Sequence, residues 1–287
     1  MVDWHDPGVI SKCTTGFVDV THISLGLYGW IYLQSLQVES ALLRRQLPFR
    51  WPLISYLVGR IFLLVSLMLS AVLFGPFALH LDCDAALKFL AFSGNVAIAC
   101  ASTNLVIVSW SIWRNHRPVC LLLAFVTLGH WFTLTFDSWG SQVSSSWGSC
   151  GYLEVNPMYS AVAATYTLIF DFFLLKITIL GLWRSSSSFS LRTVLYNHGI
   201  IYFFIVFLAS FIPLIFSWLN LNYVMNIFFI CPASCVMTIA SSRALNPMIR
   251  TNMPLVQPRT PVVALPELGK ESARVMTAES PEPSPVV

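Results

Sequence analysis

Residues 51–74 read WPLISYLVGRIFLLVSLMLSAVLF, a nearly unbroken apolar run in which Arg60 is the one charged residue. The hydrocarbon core of a bilayer is about 30 Å thick, and roughly 20 helical residues cross it. A stretch this long and this apolar predicts a membrane-spanning helix. Arg60 then lies about nine residues from its start, or roughly 13 Å along the axis.

Six more runs of this kind flank it, at 17–36, 86–110, 119–136, 159–182, 194–218 and 223–240. The first is the weakest, because Asp19, His22 and Gln34 interrupt it. Its alternative is a helix lying in the membrane surface. The expected fold is therefore all-α, a polytopic membrane protein with seven transmembrane helices. Residues 1–16 form an extracytosolic N-terminal segment, 17–243 the seven-helix bundle and 244–287 a disordered cytosolic tail. Composition agrees: of 287 residues 56% are hydrophobic and 10% charged, where soluble domains carry about a quarter charged. A net charge of +3 gives no ground for a nucleic-acid partner. The lipid bilayer is the first partner implied.

Basic residues cluster on the cytosolic side of membrane proteins. Arg44, Arg45 and Arg50 follow the first run, Arg114 and Arg117 the third, Arg184 and Arg192 the fifth, and Arg243, Arg250, Arg259, Lys270 and Arg274 the seventh. The opposite side holds Lys12 and Lys88 among Asp3, Asp6, Asp82, Asp84, Asp137 and Glu154. This bias places the N-terminus outside and the C-terminus in the cytosol. The N-terminal segment has Asp3, His5, Asp6 and Lys12 in place of a basic start and an apolar core, so no cleavable signal peptide is expected.

Cys13, Cys83 and Cys150 fall on the oxidising side. A Cys83–Cys150 disulfide would tie the long outer loop, 137–158, over the third helix. Two free thiols, or Cys13 paired with either, are the alternatives. The tail carries Pro247, Pro254, Pro258, Pro261, Pro266, Pro281, Pro283 and Pro285, which argue against regular structure. Thr260, Ser280 and Ser284 each precede a proline and are candidate phosphorylation sites, with an inert tail as the alternative.

Ionisable groups in hydrocarbon face the bundle interior or mark function. Arg60, Asn104 and Asp171 form one candidate polar cluster, with Arg60 snorkelling to the surface as the alternative. Asp19, His22, Asn95 and His130 are candidates for an outer cavity, with interhelical hydrogen bonding as the alternative. Pro213 and Pro232 each remove a backbone hydrogen bond and are candidate hinges. The sequence has no H-E-x-x-H, phosphate-binding loop or G-x-S-x-G, and the seventh run has no lysine to carry a retinal. No catalytic residue, metal site or cofactor is expected, and nothing argues for an enzyme.

Asp3-Trp4-His5-Asp6-Pro7, then Lys12, His22, Leu25-Gly26, Tyr28 and Trp30, then Phe49-Arg50-Trp51-Pro52-Leu53 with Tyr56 and Arg60 resemble a large group of seven-helix integral membrane proteins of basidiomycete fungi. The likeness extends to Cys83, Cys150 and Leu219-Asn220-Leu221-Asn222. It departs at Ile31, where relatives carry an acidic residue. The group has no established activity, so the resemblance implies topology and not mechanism. The layout is also similar to receptor architecture, but Ser111-Ile112-Trp113-Arg114 stands where receptors have Asp-Arg-Tyr, and Arg250 follows Asn246-Pro247 where they have tyrosine. The expected function is a receptor-like sensor of an external small molecule in the plasma membrane, with a cytosolic signalling partner at the Arg-rich loops. A transporter or channel, or a lipid-modifying membrane enzyme, are the alternatives.

Overall fold

The computed structural model describes residues 3–43, 51–74, 82–143, 153–155, 157–184 and 200–251. The elements in order are α1 (Pro7–Leu43), α2 (Trp51–Leu73), α3 (Cys83–Ile112), α4 (Arg117–Gly140), β1 (Ser141–Val143), β2 (Leu153–Val155), α5 (Pro157–Arg184), α6 (Ile200–Leu219), α7 (Tyr223–Phe228) and α8 (Ile230–Thr251). The strands form one antiparallel pair in which Gln142 faces Glu154. Cys150, most of the outer loop, the arginines at 44–50, the start of the sixth run and the tail beyond Thr251 lie outside the described residues.

Among the described residues, six helices are long and apolar enough to cross a membrane: Pro52–Leu73, Cys83–Ile112, Arg117–Trp139, Met158–Arg184, Ile200–Leu219 and Tyr223–Asn246. The architecture is that of a polytopic, essentially all-helical membrane protein. Its surface is apolar where a soluble protein's would be charged. On α4, Leu121, Phe125, Leu128 and Phe132 are all about 70% exposed, and their i, i+4, i+7, i+11 spacing makes one stripe. A continuous exposed apolar face marks lipid contact. Although α1 is the longest helix, it is not among the six. Asp19, His22 and Gln34 dilute its apolar run.

At the centre stands α3, which packs against α2, α4, α5 and α8. Its buried face is built from small residues, including Ser93, Ala97, Ala99, Cys100, Ala101 and Ser102. Between helices in lipid there is little hydrophobic drive, so close backbone approach supplies the attraction. At Gly59 of α2, an added Cβ would stand 2.8 Å from the Cys100 Cβ. At Gly181 of α5 it would meet Trp113 Nε1 at 2.6 Å. Trp113 closes α3 and donates from Nε1 to the Ile177 carbonyl at 3.0 Å. The other end of α3 is capped by Asp82, whose carboxylate accepts from the Asp84 N–H at 3.2 Å. There Lys88 pairs with Asp84 at 2.8 Å.

Three expected boundaries differ. The first run, 17–36, lies within α1, which begins at Pro7 inside the expected 1–16 segment and extends to Leu43. The run at 223–240 lies in the one span Tyr223–Asn246, but its helix is interrupted at the single residue Phe229, between α7 and α8. The cause is Pro232, whose ring clashes with the carbonyl four residues back. That carbonyl belongs to Phe228, where α7 ends. The ladder resumes with Ala233 N–H donating to the Phe229 carbonyl at 3.0 Å. Beyond 243, helix α8 continues to Thr251 through Pro247. By contrast, α6 is continuous across Pro213.

Gly59→Ala should lower stability by about 1–3 kcal/mol, the usual cost of overpacking. Gly26→Ala, where nothing lies within 4 Å of the new Cβ, should leave it unchanged. Thermal unfolding of the purified variants in one detergent compares them directly.

Candidate functional site

Asn95 sits in the fourth turn of α3 and faces α4. Its Nδ2 lies 2.9 Å from Ser138 Oγ, 3.0 Å from Asp137 Oδ2 and 3.1 Å from the Leu134 carbonyl. Positions 130, 134, 137 and 138 share one face of α4, opposite its lipid-facing stripe. At this end of the bundle α3 begins, α4 ends and the β1–β2 hairpin lies. The inner faces of the helices do not close on each other here.

A two-lobed cavity fills the space. One lobe, of about 80 Å³, is bounded by α3 to α8 and includes Ser210 and Ser217 of α6 and Asn226 of α7. The other, of about 120 Å³, reaches toward α1 and α2 and is lined by Phe17, Leu63, Leu67, Phe74, Leu87 and Leu90 among others. Asn95, Asp137, Ser160 and Ser234 line both. Two oxygens in the first lobe, Ser217 Oγ and Asn226 Oδ1, have no hydrogen-bond partner among the described residues. Ser217 is 4% exposed and Asn226 8%. Pro213 and Ile230 also line it, so the proline of α6 and the α7–α8 break both border the same space.

The floor is apolar. Tyr28, Leu63, Leu67, Ala97 and Cys235 pack into one buried cluster, and the Tyr28 hydroxyl donates to the Arg60 carbonyl at 3.1 Å. Beyond it lies a separate cavity of about 120 Å³ lined by Tyr56, Arg60, Thr238, Ser242 and Arg243 among others.

The expected cluster of Arg60, Asn104 and Asp171 is not one site. Arg60 turns toward α1: Nη1 donates to the Tyr56 hydroxyl at 2.7 Å and Nη2 to the Tyr32 carbonyl at 3.3 Å and to Ser35 Oγ. Its guanidinium lies 4.5 Å from the Tyr32 ring centre, where an aromatic face attracts a cation. It is 4% exposed and so does not snorkel. Asp171 instead accepts a hydrogen bond from Ser210 of α6. No ion pair joins Arg60 to Asp171 among the described residues, because α3 packs on both α2 and α5. Asn104 is buried in α3, and its Oδ1 has no partner among the described residues.

Of the four outer-cavity candidates, only Asn95 lines the cavity. Asp19 and His22 sit on the exposed face of α1, and the His22 ring lies 2.8 Å from the Val18 carbonyl of its own helix. The buried stripe of α1 is Phe17, Thr21, Ser24 and Tyr28, and the i, i+3 pair falls on the other side. His130 is fully buried and acts as an aromatic plate, stacked on Phe170 at 4.6 Å and Tyr166 at 6.0 Å. Asp137, Ser217 and Asn226 were not among the expected site residues. The signal for Asp137 was its register with Leu134 and His130, one turn and two turns back. Cys13, Cys100, Cys120, Cys231 and Cys235 are free thiols, Cys83 is not among them, and Cys150 lies outside the described residues. Among the described residues no group of His, Cys, Asp and Glu could hold a metal ion.

Comparison with protein-family models, with curated proteins and with solved structures finds no match.

Ser210→Ala should cost about 1–3 kcal/mol, since it strips a donor from a buried carboxylate. Ser210→Thr, which keeps the hydroxyl, should recover most of it. Thermal unfolding of both variants measures the difference.

Proposed function

We propose that this chain is a receptor-like sensor of a small external molecule, which binds in the two-lobed cavity. One observation carries the reading: a mostly apolar space with a few polar groups, at one end of the bundle, is floored by packed apolar side chains. A recess of this kind, mostly apolar with a few placed polar groups, is the usual form of a small-molecule site. In this reading α1 is the seventh span, the N-terminus is outside and the C-terminus is in the cytosol of a plasma-membrane protein. Arginine placement supports that orientation: Arg114, Arg117, Arg184 and Arg243 all fall at the end opposite the cavity. The bonded state of Cys83 supports a Cys83–Cys150 tether from the top of α3 to the outer loop. Membership of the fungal seven-helix group rests on the residues quoted above.

The ligand would touch α6 at Pro213 and Ser217 and the α7–α8 junction at Asn226 and Ile230. These are the places where proline weakens the backbone ladder. A ligand shifts a conformational equilibrium only through differential contact with its states, and contacts at two weakened helices provide that. Their far ends reach the arginine-rich side, where a cytosolic partner would read the change. A transporter is the second reading, favoured by the separate cavity around Arg60 on the other side of the floor. In that case the floor layer of Tyr28, Leu63 and Leu67 would be a gate.

Ser160→Cys, in the cavity, should react with a membrane-impermeant thiol reagent added to intact cells, above the background of the parent chain. Thr238→Cys, beyond the floor, should react only after the cells are opened. Labelling of Ser160→Cys only from the cytosolic side would reverse the orientation. Labelling of both variants from outside would favour a through-path and transport.

A further inference from the structure

We infer that the separate cavity between α1, α2 and α8 binds a phosphate group, with Arg243 supplying the charge and Thr238 and Ser242 the hydroxyl donors. This site lies across the apolar floor from the two-lobed cavity and does not depend on what that cavity holds.

The first observation is two hydrogen bonds that are not made. A serine or threonine inside a helix often bonds its hydroxyl to the carbonyl one turn back. This bundle has that habit: Thr21 donates to Phe17 at 2.8 Å, Thr103 to Ala99 at 2.7 Å and Thr167 to Ala163 at 2.9 Å. Thr238 and Ser242 of α8 depart from it. Thr238 is 2% exposed and Ser242 9%, and neither hydroxyl has a hydrogen-bond partner among the described residues. Both line the same cavity of about 120 Å³, and their i, i+4 spacing puts them one above the other on one face of α8. A buried polar group without a partner is destabilising and calls for an explanation. Two of them on one cavity wall point to a ligand.

Charge decides what that ligand is. Arg243 also lines the cavity, is exposed, and makes no hydrogen bond or ion pair among the described residues. Arg60 stands in the wall as well, with hydrogen bonds to Tyr56, Tyr32 and Ser35, so the donors left for a ligand come from the other residues. Gln34 of α1 and Asn246 of α8 add amide N–H groups. No aspartate or glutamate is among the described lining residues. A guanidinium only donates, and a hydroxyl can donate. The set suits a negatively charged group that only accepts. A phosphate monoester carries about −1.5 to −2 charges and three strong acceptor oxygens at neutral pH, and arginine pairs with it in bidentate fashion. A carboxylate, with two oxygens, would leave part of this donor set unused. There is room for the larger group, since a water takes about 30 Å³.

Depth bears on the source of the phosphate. Arg243 lies near the end of the span Tyr223–Asn246, at the level where headgroups meet hydrocarbon. Basic pockets between spanning helices at that level hold anionic lipid headgroups. In the orientation proposed above, this is the cytosolic leaflet.

The test uses the full-length protein in maltoside detergent, free of phosphate and at constant ionic strength. It is titrated with inorganic phosphate, with dioctanoyl phosphatidic acid and with dioctanoylglycerol, which lacks the phosphate. Binding is read from the shift in thermal unfolding as an apparent Kd. Phosphatidic acid should raise the unfolding temperature and dioctanoylglycerol should not. Inorganic phosphate binding as tightly as the lipid would make the source soluble phosphate, and much weaker binding would make it a lipid headgroup. Arg243→Gln should weaken binding by about tenfold or more, the usual worth of a hydrogen bond to a charged group, and Arg243→Lys should keep part of it. Thr238→Val keeps the side-chain shape and removes an unpartnered hydroxyl. Without ligand it should unfold no earlier than the parent, yet bind more weakly, and Ser242→Ala should do the same. Arg117→Gln, at the same end of the bundle but outside the cavity, should bind as the parent does. No shift from either phosphate probe would overturn the site. So would shifts that survive both Arg243→Gln and Thr238→Val, or that Arg117→Gln removes equally.

Discussion

Close approach of backbones along α3 is the constraint on which the rest of the bundle depends. Helices in hydrocarbon gain little from hiding apolar side chains, because lipid is as apolar as leucine. They associate through dispersion over large contact areas, and that requires small side chains at the seam. Ala97, Ala99, Cys100, Ala101 and Ser102 supply such a seam, Gly59 supplies a matching gap on α2, and Gly181 of α5 makes room for Trp113 at the end of α3. Bulky residues occupy the opposite faces, where they meet lipid: the exposed Leu121, Phe125, Leu128 and Phe132 of α4 are the clearest case. Apolar outside as well as inside is the reverse of a soluble helical domain's charged surface, and it follows directly from the solvent.

Hydrogen bonds add direction to this packing. Ser55 of α2 donates to the Cys100 carbonyl at 3.1 Å, Ser109 of α3 meets Thr178 of α5 at 2.8 Å, and Trp218 of α6 donates to Thr165 of α5 at 3.0 Å. Each joins neighbouring helices and fixes their rotation as well as their distance. Arg60 belongs to the same class. Its contacts include two hydroxyls, a carbonyl and two aromatic faces, so it serves α1–α2 packing as much as any function. At the cavity end Ser217 Oγ and Asn226 Oδ1, without partners among the described residues, border open space.

How much of this was legible beforehand varies by element. The spans at 51–74, 86–110, 119–136 and 159–182 were readable to within three or four residues, because helix length in lipid is set by bilayer thickness. The helix break was partly readable, since Pro232 was in view but its effect falls at Phe228 and Phe229, one turn earlier. The candidate site was the least legible part. Arg60, Asn104 and Asp171 share a property, burial of polarity, that says nothing about which helices are neighbours. Asp19 and His22 were paired by spacing, but a one-residue rotation of α1 decides whether such a pair looks inward or out. Asp137 looked like the start of a loop because it follows the apolar run, whereas α4 carries on through Gly140 and turns it toward Asn95.

Order, length and apolar character of the helices were determined by the sequence alone, because those properties answer to the bilayer one segment at a time. Which side chains meet was decided by the tertiary structure. Asn95 and Asp137 are distant in sequence, and Ser217 and Asn226 lie on different helices. Only the rotation of each helix about its own axis, set by how small residues interlock along α3, brings their oxygens to one cavity.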